Sequence, residues 1–125
     1  MILLTPELHE RLLANGRLRD VDHVPVVKFF NPLGAATWLA TELDEDNDTL
    51  FGLADLGFGG PELGAFSLTE MASVRLPLGL GIERDLWFEA TFSLSVYAAA
   101  ARTAGRIVLD DVLLQATAES LRQTE

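Results

Sequence analysis

The chain has 125 residues, 49% of them hydrophobic, with 19 acidic and 9 basic side chains and no cysteine. That length suits one compact domain, and folding would bury about two thirds of the open chain's surface, enough for a core without a metal or disulfide staple. The missing cysteines exclude disulfides, zinc–thiolate sites, iron–sulfur clusters and a thiol nucleophile, and the net charge of −10 argues against direct contact with a nucleic-acid backbone.

The apolar start, Met1 to Leu4, is too short for a signal peptide and has no basic region before it. The uncharged stretches Phe29–Thr41 and Ala90–Ala101 fall short of a membrane span, so a cytoplasmic protein with no membrane partner is expected. Thr5-Pro6-Glu7 predicts a helix start, Leu8, Leu12 and Leu13 its apolar stripe, and Asn15-Gly16 its end. Three strands follow at Val26–Phe30, Ala35–Leu43 and Thr49–Leu56, the last two joined by the polar turn Asp44–Asp48. Gly57–Pro61 predicts an irregular loop. Ser67-Leu68-Thr69-Glu70 has the spacing of a capping box, and Pro77–Gly81 reads as loop again. A short edge strand is expected at Asp85–Glu89. Ser93 or Ser95 would cap an alanine-rich helix ended by Gly105, and Asp110 would cap a last helix with Val112, Leu113, Ala116 and Leu121 near one face. Helices at both ends of a central antiparallel meander give an α+β domain. Phe29, Leu39, Leu53 and Leu113 are expected in its core. Trp38 and Leu39 are both large and point opposite ways, which leaves the inward face of that strand open.

The charge is unevenly placed. Residues 31–90 carry eleven acids against Arg75 and Arg84 alone, and seven acids stand between 42 and 62 with no base: Glu42, Asp44, Glu45, Asp46, Asp48, Asp55 and Glu62. Asp44, Asp46 and Asp48 echo a calcium loop, but Thr49 stands where that loop needs glycine and Asp55 where it needs glutamate, so a solvated turn is the better account. No metal is expected. His9 and His23 lack partners at ligand spacing, and no Gly-x-Ser-x-Gly elbow is present. The glycines at 57–60 and 79–81 lack the Lys-Ser/Thr ending of a phosphate loop, so no cofactor is expected. Glu62, Glu83 and Asp85, with Arg84 as an orienting cation, are the carboxylates a small enzyme would use, although Glu83-Arg84-Asp85 is also an ordinary surface ion cluster. Trp87 and Phe88 would point to opposite faces of a strand, which offers one of them as an exposed aromatic anchor.

Several segments together carry a family resemblance: Leu3-Leu4-Thr5-Pro6-Glu7, Pro25 to Phe30 with Pro32, Ala36-Thr37-Trp38-Leu39 with Glu42, Phe51 to Gly57, Pro61 to Gly64, and Gly81 to Leu86. They resemble domain of unknown function 2958, a family of bacterial plasmids, integrative elements and related mobile DNA. The resemblance spans residues 2–107 of the single domain 1–125 and leaves 108–125 as a helical extension. Gly60 stands where that family commonly has a cysteine, and Trp87 where it commonly has a histidine. The resemblance implies a mobile-element setting and supplies no catalytic residues.

Three functional classes follow. The favoured one is a small non-catalytic binding protein whose acidic face meets a protein partner with a basic surface, in the manner of an anti-restriction or anti-CRISPR factor. Carboxylates two apart on a strand lie about 6.8 Å from each other, near the spacing of successive phosphates. The alternatives are a small carboxylate enzyme and an oligomeric accessory protein.

Overall fold

The computed structural model describes residues 2–124. The first helix, α1 (Pro6–Gly16), starts where Thr5 accepts the Leu8 N–H at 3.2 Å, with proline in the first turn where a missing N–H costs nothing. The strands β1 (Val27–Phe30), β2 (Thr37–Leu43) and β3 (Thr49–Asp55) form the expected meander. A fourth strand, β4 (Glu62–Ser67), extends it beyond expectation. Its sequence, Glu-Leu-Gly-Ala-Phe-Ser, has no β-branched residue and follows a glycine-rich loop, so nothing local announces a strand; pairing with β3 makes it one.

Helix α2 (Leu68–Ser73) opens on Ser67, whose hydroxyl accepts the Glu70 N–H. A 3-10 turn at Pro77–Gly79 leads to β5 (Glu83–Arg84), which pairs antiparallel with β1 and gives the sheet order β4-β3-β2-β1-β5. The edge strand is thus two residues earlier than expected. Asp85 ends it: its carboxylate accepts the Trp87 N–H at 2.9 Å and turns the chain away from the ladder. Helices α3 (Leu94–Ala104) and α4 (Asp111–Gln123) complete the chain. Neither Ser93 nor Ser95 caps α3 as expected: the Ser93 hydroxyl accepts no N–H of the helix, and the Asp22 carboxylate accepts the Ser95 N–H at 3.1 Å instead. Gly105 stops α3 at φ 77°, and Asp110 caps α4 on the Leu113 N–H.

Helices cover both faces of the sheet. On one face Leu12 and Leu13 of α1 pack on Val27, Phe29, Ala40, Leu43 and Leu50, and Met71 and Ile82 join them, so the crossing from β4 to β5 runs over this side. On the other face Leu39 and Leu53 meet α3 and Leu114 of α4. Trp38 packs against the α1 side and Leu39 is fully buried on the α3–α4 side, which resolves the inward face of β2.

The last helix corrects two expectations. Leu114, with Ala118 and Leu121, faces the core, whereas Val112 is 80% and Leu113 45% exposed. Positions 114, 118 and 121 follow the helical repeat as well as the expected set does, and the sheet selects them. The helix beyond residue 108 therefore completes the second core. The accessible surface is 7418 Å², about a tenth above the roughly 6,600 Å² expected for this mass, and Phe58, Trp87 and Val112 are among the exposed apolar side chains.

Candidate functional site

The β2–β3 hairpin tip gathers four of the seven acids between 42 and 62, Asp44, Glu45, Asp46 and Asp48, and its shape explains why acids stand there. Asn47 takes a left-handed conformation at φ 61° and donates its N–H to the Asp44 carbonyl. One Asp46 oxygen accepts the N–H groups of Asp48 and Thr49, both at 2.8 Å, and the other accepts the Thr49 hydroxyl at 2.6 Å. Asp48 reaches the next element: it accepts the Ser67 hydroxyl and the Thr69 N–H at 2.7 Å, pinning the tip to the start of α2. From the end of α1, Arg17 bonds Glu45 at 2.8 Å and Arg19 pairs with Asp44.

These partners hold the carboxylates ionised. The Thr49 hydroxyl, followed by the two N–H donors, lowers the Asp46 pKa; Thr69 and then Ser67 lower that of Asp48; the Arg17 hydrogen bond lowers that of Glu45. A depressed folded-state pKa contributes stability above the unfolded value and loses it as pH falls through the folded one. The carboxyl signals of Asp46 and Asp48 in an NMR pH titration are accordingly expected to move below the ordinary aspartate range, with the Thr49 and Thr69 amide signals moving in step.

The seven acids from 42 to 62 do not form one face. Asp55, expected on the surface, is 4% exposed: it closes β3 by accepting the N–H groups of Gly57 at 2.9 Å and Ile107 at 3.0 Å. Glu62 pairs in register with Ala54 while Ser67 pairs with Thr49, so it lies about 17 Å along β4 from the tip. Glu42 stands on β2 beside Phe51, in a recess shared with Arg19, Asp44, Thr49 and Ala65. Among the described residues no cation pairs with Glu42, Asp46, Asp48 or Glu62.

The second set of carboxylates is divided as well. β4 and β5 are the two sheet edges, so Glu62 and Glu83 stand four strand spacings apart, about 19 Å. Glu62 therefore cannot share a substrate atom with Glu83 or Asp85. Arg84 donates to the Ile2 and Leu3 carbonyls and fastens the N-terminal segment; Asp85 pairs with Lys28 at 3.3 Å and holds the turn before Trp87. Trp87 itself is 92% exposed, and Phe88 packs on the α3–α4 core. Among the described residues no three His, Asp or Glu side chains converge as a metal cage. His23 bonds the Leu18 carbonyl and His9 lies beside Glu10. No helix among the described residues is long and apolar enough to cross a membrane.

Comparison with known families bears on the core as built. The pattern of the family described as "Protein of unknown function (DUF2958)" matches residues 3–108. The chain belongs to the DUF2958 family. The DUF2958 match takes in all five strands with α1, α2 and α3 and ends before α4, although Leu114 of α4 is buried in the same core. Searches of curated proteins and of solved structures found no match.

Proposed function

We propose that this DUF2958 protein is a non-catalytic binding protein of a mobile genetic element, and that its hairpin tip docks on the basic surface of a nucleic-acid-handling protein. The observation that carries the reading is the tip itself. Asp46 and Asp48 are held ionised by neutral donors of the protein's own backbone and hydroxyls, which fix their positions without cancelling their charge. An anionic surface with fixed geometry attracts a cationic groove and competes there with phosphates. The separation of Glu62 from Glu83 and Asp85, and the structural duties of Asp55, Arg84 and Asp85, favour this reading over the carboxylate enzyme.

Affinity capture from a bacterial lysate tests it, with the wild-type chain and an E42K/E45K variant as baits; no backbone group uses either carboxylate. The expected result is a basic nucleic-acid-binding protein that elutes as salt rises, is displaced by duplex DNA and is lost with the variant. Capture indifferent to salt, DNA and the charge reversal would contradict the proposal.

A further inference from the structure

β4 is a sheet edge, and the register fixes which of its backbone groups are unused. The Leu68 N–H donates to the Asp48 carbonyl at 2.9 Å, and Ser67 stands opposite Thr49. In an antiparallel ladder the bonded pairs alternate, so Glu62, Gly64 and Phe66 direct their N–H and C=O groups to β3. Leu63 and Ala65 direct theirs outward. Both residues are exposed, and β4 carries none of the usual guards of an edge, neither proline nor bulge, with Glu62 as its one charge. The opposite edge, β5, is only two residues long.

The side chains follow the same alternation. Leu63 and Ala65 share a face with Phe51, which is 37% exposed, so an apolar strip runs beside the open backbone groups; Glu62 lies on the other face. Charge selects the occupant. Between Lys28 and Arg75 the chain has eight acids and no base. Arg17 and Arg19, from the end of α1 and just after it, reach this hairpin and are already paired at its tip. A second copy pairing antiparallel about Gly64 would set each Glu62 opposite the other copy's Phe66, next to the Ser67 that holds Asp48, and like-charge repulsion opposes that approach.

We propose that the β4 edge binds an extended cationic segment of a partner protein as a sixth strand, its basic residues on the Glu62 face and its apolar residues against Leu63, Ala65 and Phe51. The proposal rests on the reading of a basic partner and adds where and in what conformation that partner binds.

The probe is an acetylated, amidated Lys-Val-Lys-Val-Lys-Val peptide at low ionic strength, with the Glu-Val repeat as its control. The Lys-Val peptide is expected to bind and to shift the Leu63 and Ala65 amide signals; the Glu-Val peptide is expected to do neither. Ala65→Pro removes one outward N–H and leaves the β3 ladder intact, so it should weaken binding about tenfold, whereas Ala65→Ser should bind as wild type does. Peptide binding that a folded A65P variant retains, or that moves signals at the tip or at Trp87 but not on β4, would overturn the edge and leave the acidic tip as the site. Absence of Lys-Val binding would overturn the edge, and the capture experiment alone would then decide the basic partner. Concentration-dependent dimerisation that shifts Leu63 and Ala65 without peptide would assign the edge to a second copy instead.

Discussion

Gly52→Ala is expected to cost about 3 kcal/mol or more, or to prevent folding, read as a lower denaturant midpoint with circular dichroism as the probe. Gly52 sits in β3, between β2 and β4, opposite Ala40 on one side and Gly64 on the other. A Cβ built there would lie 1.8 Å from the Leu39 carbonyl oxygen and 2.9 Å from the Ala40 Cα. Both neighbours are backbone atoms of β2, just before the register shift between Ala40 and Glu42, and no side-chain rotation relieves the contact. The methyl group can enter only if β2 and β3 move apart, which would loosen the hydrogen bonds and Leu39–Leu53 packing at the centre of the sheet. Gly64→Ala serves as the control. It opposes Gly52 in the neighbouring strand, yet a Cβ there meets nothing within 4 Å, so near-wild-type stability is expected.

Asp55→Ala is expected to lose about 2–3 kcal/mol, with the unfolding transition still cooperative. The carboxylate accepts one N–H from the start of the glycine loop and one from Ile107, after α3. Alanine would strand both donors beside the second core, where water reaches them poorly. Asp55→Asn retains an acceptor oxygen and a similar volume, so it should lose less than alanine does. Equal stability of all three proteins would show that the Asp55 bridge between β3 and the α3–α4 connection contributes nothing.

Much of the architecture was legible because short-range chemistry dictates it. Thr5-Pro6, Ser67 to Glu70, Gly105 and Asp110 mark helix ends by satisfying or releasing backbone groups, and a cap works the same way whatever lies around it. What the residues did not disclose depends on partners distant in the chain. β4 is a strand because β3 pairs with it, and α4 turns Leu114 inward, not Leu113, because the sheet lies on that side. The acidic run was visible as composition, but its division was not. Asp55 follows the alternation of β3 into the core, and Glu62 starts a strand whose far end reaches the tip. Trp87 was readable as a candidate for exposure, though through the Asp85 turn and not through strand alternation. The open edge had no sequence signal at all, since it is set by which strand ends the sheet.

A basic partner docked on the hairpin tip and the β4 edge beside it, as proposed, would cover amides that are open in the free chain. Amide hydrogen exchange of the chain, alone and saturated with its captured partner, tests this most directly. In the free protein the Leu63 and Ala65 amides point away from the ladder, so they should exchange quickly and become strongly protected in the complex, together with the tip at residues 45–48. Protection centred on Trp87 or on the outer side of α4, with Leu63 and Ala65 unchanged, would place the partner elsewhere and overturn docking at the tip and the β4 edge.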